Sequence, residues 1–187
     1  MIRKSQLNLV KHTDTVLLSP TQPFDFKGDI DADMLANMMF DRMKELGGIG
    51  LSANQVGLNV RMFVMGIDDL HMAIFNPVIT KVSQQEVVLK EGCLSFPGMF
   101  VLVKRPEEIT VEFYNVRGEH KQVELKGLTA RVFLHEYDHM EGVTMNTRVS
   151  KLKWDLAKRK LQNKKNKIVE KHSKQVLSDL SRSISRP

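Results

Sequence analysis

The chain has 187 residues, 42% of them hydrophobic and 27% charged, with a formal net charge of +6. That length is enough for one core and too short for two large domains, no segment approaches membrane-spanning length, and the opening 1–6 run has no apolar stretch of a secretory signal. A lone cysteine forms no internal disulfide, which points to a reducing, cytosol-like compartment and excludes the disulfide-rich secreted class.

The first periodic segment spans about 31–46, where Met34, Leu35, Met38, Met39, Met43 and Leu46 repeat at helical spacing behind Asp31 and Asp33. A stripe of this kind buries one face of a helix, and thioethers fill gaps well, so the methionines read as core. Directly after it, residues 47–57 gather small residues around one amide side chain, Gln55. The glycines permit close backbone approach. The run fits a helix C-cap and a turn; as a phosphate loop it lacks the Gly-Lys-Ser/Thr ending and the nucleotide spacing.

Short apolar or alternating runs follow at 60–66, 73–79, 86–89, 99–103, 109–114 and 122–125, separated by turn residues such as Asp68-Asp69 and Arg117-Gly118. They predict strands of mainly antiparallel sheets. Cys93 sits in the turn-rich Glu91-Gly92-Cys93-Leu94-Ser95-Phe96-Pro97-Gly98. A single cysteine is most often a small buried hydrophobe; a metal ligand is the sharper alternative.

His135-Glu136-Tyr137-Asp138-His139 shifts the balance toward the ligand. On a helix the histidines fall one turn apart on one face, able to hold a divalent ion, and Glu136 is left free to move a proton. The same spacing also occurs in helices that bind nothing, but the flanks support the helix: Gly127-Leu128-Thr129 marks a start and Gly142 a stop, giving a span of about 129–141. Two helix histidines require a third protein ligand and an open position for water, and Cys93 is the candidate. The metal helix packs between or against the sheets, which makes the predicted fold α+β.

Beyond Ser150 the chemistry changes. Residues 150–187 carry twelve Lys/Arg against three Asp/Glu, whereas 1–149 are net acidic. The start of this stretch has loosely spaced Leu152, Leu156, Leu161 and Ile168 and reads as an amphipathic helix, while Lys164-Lys165-Asn166-Lys167 and the serine-rich end need no packed structure. Two readings stand side by side: a solvated tail, or an electrostatic handle for RNA that gains from counterion release. The organisation expected is a catalytic domain over 1–149 and a basic extension over 150–187.

In this order, Gly48-Ile49-Gly50-Leu51-Ser52-Ala53-Asn54-Gln55, Glu91-Gly92-Cys93-Leu94-Ser95 and His135-Glu136-Tyr137-Asp138-His139 resemble the three signature motifs of the peptide deformylases. The resemblance extends to Leu9-Val10-Lys11-His12, Phe75-Asn76-Pro77-Val78-Ile79 and Gly127-Leu128-Thr129-Ala130-Arg131, and covers roughly 7–150.

The resemblance implies hydrolysis of the N-formyl group from formyl-methionyl nascent peptides, with release of formate. It implies Cys93, His135 and His139 as ligands of one divalent ion, Fe2+ favoured and Zn2+ or Ni2+ accepted. Glu136 would take a proton from the attacking water and pass it to the departing amine, while the Gln55 side chain and the Leu94 backbone N–H would donate to the oxyanion. The substrate main chain would lie beside Gly48-Ile49-Gly50 like an added strand, bordered by Glu91 and Gly92, with the methionine pocket drawn from Ile49, Leu89, Leu128, Val132 and the stem of Arg131. Each of these pocket residues also fits an ordinary core. In bacterial members a C-terminal helix contacts the ribosome, which gives the basic tail a partner; a cytoplasmic monomer with no membrane contact is the expected form.

Departures from the family pattern are Ser52 for the usual alanine, Leu134 for a glutamine before the first metal histidine, Met140 and the ending after it, and Thr13 for a proline. None removes a ligand. The competing readings are a zinc endopeptidase sharing only the two-histidine helix, against which the Gln55 loop and the Cys93 segment weigh, and a noncatalytic RNA-binding protein supported by the tail alone.

Overall fold

The computed structural model describes residues 7–184; the readings of the opening 1–6 run and of the last residues of the serine-rich end lie outside the described residues. Helix α1 (Ala32–Glu45) starts where Asp31 accepts a hydrogen bond from the Met34 N–H at 2.7 Å. Its stripe buries Leu35, Met39 and Met43 against Leu51, Met62, Val64 and Phe75, so the methionines are core. At its C-terminus Gly47, at φ +67°, donates to the Lys44 carbonyl and Gly48 to the Met43 carbonyl. This Schellman stop turns the chain straight into the loop that carries Gln55.

Strand β1 (Gly50–Ser52) pairs antiparallel with β2 (Met62–Ile67), and a 3-10 turn over Ala53–Val56 joins them, ending at Gly57 with φ +84°. Sequence patterning predicts only a turn for this stretch. A three-residue strand carries too little periodicity to be seen and exists through its partner. Strand β3 (Leu70–Val82) is longer than expected and bulged near Phe75–Val78. There Asn76, at φ +50°, exchanges two hydrogen bonds with the Phe24 backbone and docks the N-terminal segment.

Strands β4 (Glu86–Gly92) and β5 (Phe100–Pro106) form a separate two-stranded sheet. Strands β6 (Glu108–Tyr114) and β7 (His120–Lys126) complete the larger sheet, of order β1-β2-β3-β6-β7 and antiparallel throughout. Helix α2 (Leu128–Met140) packs Phe133 edge-on against Phe63 of β2, with ring centroids 5.1 Å apart, and buries Ala130 and Val132 in the same cluster. Its other side meets β5 through charged groups. The helix ends as the sequence predicts: Gly142, at φ +68°, donates to the His139 carbonyl and Val143 to that of Asp138. The fold is α+β, with α2 between the two sheets.

Helix α3 (Lys151–Ile184) is one continuous helix, where the sequence pattern predicts a helix at the start alone. No glycine or proline interrupts 151–184, and lysine, leucine, arginine and glutamine are good helix formers. Trp154, Ala157 and Leu161 pack on Phe96, Met99, Val101 and Met145, while residues 162–171 are exposed. Among the described residues no helix is long and apolar enough to cross a membrane.

Phe63 is fully buried at the junction of sheet and helix. Phe63→Ala is expected to lower the unfolding free energy by about 3–5 kcal/mol, the usual cost of such a cavity, in a chemical-denaturant titration of the metal-loaded protein.

Candidate metal centre

The centre forms where the end of β4, the later turns of α2 and the loop after β1 converge. Cys93 follows β4 directly, and its Sγ lies 3.3 Å from His139 Nε2. The Cys93 Sγ and one nitrogen each of His135 and His139 all fall within 4.8 Å of one another. The Nδ1 of His135 is engaged by Glu91 Oε2 at 3.1 Å, which turns Nε2 toward the cysteine. One sulfur and two imidazole nitrogens at this separation fit a borderline divalent ion in a tetrahedral or slightly larger coordination. Among the described residues the fully buried Nδ1 of His139 has no hydrogen-bond partner, and neither has Glu136 Oε2.

The protonation preferences follow from burial and neighbours. Burial pushes the Glu136 carboxyl up to about 7, which suits a group that must both take and give a proton near neutrality. Burial opposes charge on His135 too, yet hydrogen bonds to Cys93 and Glu91 outweigh it and raise the imidazole to about 10. A metal ion entering there must displace a proton. His139 is held well below the usual imidazole range by burial and by the His135 charge.

Gln55 sits in the 3-10 turn, its Nε2 donating to Ser95 Oγ at 3.0 Å and lying 3.5 Å from Cys93 Sγ. Asn54 beside it donates to the His139 carbonyl at 2.6 Å and ties the turn to α2. Two glycines make close approaches: a Cβ at Gly50 would collide with the buried Glu136 carboxylate, and one at Gly48 would meet Leu94 Cδ1 at 2.8 Å and push that side chain aside.

A cleft of about 640 Å³ opens onto the centre. Its walls include the expected Ile49, Gly50, Glu91, Gly92, Leu94, Leu128, Arg131 and Val132, together with Gln55, Cys93, His135 and Glu136. Leu89 is not among the lining residues; it stands 41% exposed on β4. Glu91 borders the cleft but turns its carboxylate inward to Arg105, Arg131 and His135, and the Arg131 guanidinium is bound to Glu91 and to the Val87 and Val103 carbonyls. Leu9, Leu46, Met99 and Phe100 also line the cleft, a place the sequence reading did not assign them.

Also missed was the buried ion network. Arg105 makes a two-point pair with Glu91, at 2.7 and 3.0 Å, and reaches Asp138 at 2.8 Å, while Arg148 holds the other side of Asp138. Burial works against the Glu91 charge, but bonds from His135 and Arg105 outweigh it and hold the carboxyl well below its usual range. The available signal was the alternation in β5, where Val101 and Val103 point inward and Arg105 occupies the next inward position. Leu134, which replaces a family glutamine, joins the apolar core, and its carbonyl accepts from Arg105.

Comparison with known proteins agrees with this geometry. The family profile described as Polypeptide deformylase matches residues 6–155. The peptide deformylase of Thermotoga maritima is 40% identical over 148 residues, covering 79% of this chain and 90% of that protein. Its crystal structure superposes with a TM-score of 0.74 at 38% identity, covering 78% of this chain and 98% of that one. A plant peptide deformylase structure gives a TM-score of 0.79 at 35% identity over 91% of this chain and 95% of the other.

Fold and site thus define a metal-dependent hydrolase. The chain belongs to the peptide deformylase family, whose activity is removal of the N-formyl group from formylated nascent polypeptides.

Removing Arg105 would leave Glu91 and Asp138 facing each other across a buried space. Arg105→Met is expected to cost about 3–5 kcal/mol of stability and to lower metal retention on dialysis, as measured by denaturant unfolding and elemental analysis.

Proposed function

We propose that Cys93, His135 and His139 hold the ion, that Glu136 is the general acid/base, and that Gln55 with the Leu94 N–H forms the oxyanion site. The observation that carries the reading is a buried carboxylate of raised pKa, with one unpartnered oxygen, beside a thiol and two histidines. The bound ion would supply Lewis acidity and an activated water. Glu136 would accept the proton of the attacking water and deliver it to the departing amine nitrogen, and the Gln55 amide would donate to the oxygen of the former formyl carbonyl. Ferrous iron is the proposed native ion, with zinc and nickel compatible with the same ligands.

The substrate main chain would run along Ile49 and Gly50, with the methionine side chain among Leu128, Val132 and the stem of Arg131. Ile49 and Leu128 are 48% and 51% exposed at the cleft, which supports a role in holding an incoming apolar group. Leu89 is set aside from this pocket because it does not line the cleft.

The enzyme is read as a monomer of a cytosol-like compartment, with a catalytic domain and a basic extension. Its α3 helix would reach rRNA through the exposed Lys160, Lys164, Lys167 and Lys171, spaced along the helix at three- and four-residue intervals. Packing of Trp154, Ala157 and Leu161 on the body supports counting the first turns of α3 with the catalytic unit.

Formate release from a short N-formyl-methionyl peptide, using anaerobically iron-loaded protein, tests the assignment. Glu136→Ala is expected to lower kcat by at least about 100-fold with the metal still bound; near-normal turnover would remove Glu136 from the acid/base role. Deletion of residues 163–187 is expected to leave that activity unchanged and to weaken ribosome binding, with a shallower dependence of log K on log salt; equal binding at moderate salt would refute the RNA role.

A further inference from the structure

Ser52 is fully buried and stands where the family pattern usually has alanine. A buried hydroxyl without a partner is costly, so where its hydrogen goes is informative. Its Oγ donates to Gln55 Oε1 at 3.0 Å, and its own backbone N–H donates to the same oxygen, also at 3.0 Å.

The two bonds fix which end of the amide faces the centre. Gln55 Oε1 has two lone pairs, and both are taken by Ser52. A flipped amide would set its NH2 against the Ser52 N–H, which can only donate, and turn its oxygen toward Cys93; the hydroxyl adds a second bond to the orientation the backbone selects. In the observed orientation Nε2 is directed at Ser95 Oγ and Cys93 Sγ. Donation into Oε1 also polarises the amide and strengthens its N–H groups as donors.

We propose that Ser52 is a positioning residue for deformylation, acting through Gln55: its hydroxyl locks and polarises the amide that donates to the oxyanion. Alanine at this position would keep the backbone donor and lose the second one, so the amide would be held by one bond in place of two. The inference rests on the oxyanion role proposed above for Gln55. Because oxyanion stabilisation acts in the transition state, the effect belongs to kcat and not to KM.

Ser52→Ala removes one buried oxygen and adds no atom, so the fold is retained. With metal content and thermal midpoint checked, formate release is expected to show kcat lowered about 3–10-fold, the worth of one hydrogen bond, and KM within twofold of wild type. The same change is then made in a Gln55→Ala background. There it is expected to have less than a twofold further effect, since the group through which Ser52 acts is gone. Wild-type kcat in Ser52→Ala, a loss carried by KM, or an undiminished penalty in the Gln55→Ala background would each overturn the proposal. Failure of the underlying reading looks different: the wild-type protein would release no formate, or Gln55→Ala alone would keep wild-type kcat.

Discussion

The buried charges between β5 and α2 hold the centre together. Cys93 comes from the end of the small β4–β5 sheet and both histidines come from α2, and among the described residues no backbone ladder joins these elements. The connection is made by Glu91, Arg105, Asp138 and Arg131, nearly all of them within a few percent of full burial. Each charge has taken on partners in return for leaving water, so the network is a docking constraint more than a source of net stability. Glu91 does two tasks at once: it binds both arginines and it accepts from His135 Nδ1, thereby orienting the imidazole.

A second constraint is close approach. Strand β1 runs so near α2 that only hydrogen fits at Gly50 beside Glu136, and Leu94 occupies the space beyond Gly48. The result brings the Gln55 turn, the Cys93 loop and the Glu136 carboxylate into one buried region, where dipoles and hydrogen bonds act with greater strength than at the surface. The Schellman turn at Gly47–Gly48 links this arrangement back to α1, whose methionine face packs under β1.

Helix α3 divides by environment, not by sequence boundary. Its first turns stack Trp154 edge-on against Phe96, three residues from Cys93, with ring centroids 5.2 Å apart. Farther along, through Lys171, the side chains are exposed, Lys164, Lys165, Lys167 and Lys171 among them. A rod anchored at one end and charged along its free length can present the charge to a polyanion without disturbing the metal centre.

Several features were legible because they are local. The methionine stripe of α1, the glycine stops after α1 and α2, and the His-Glu-x-x-His spacing depend on neighbours within a few residues, and the three motifs in order pointed to the family. The ion network, strand β1, the cleft walls at Leu46, Met99 and Phe100, and the partners of Ser52 were not, since each arises between segments whose contact no local pattern announces. Leu89 and the carboxylate of Glu91 illustrate the limit: one lies next to a motif and the other opens it, yet the direction each takes is set by what packs against β4. The sequence by itself determined the chemistry available, one thiol, two imidazoles, a carboxylate and an amide, because residue identity fixes donors and acceptors. Only the tertiary structure decided which of their atoms meet, because that depends on how a two-stranded sheet, a helix and a short edge strand pack against one another.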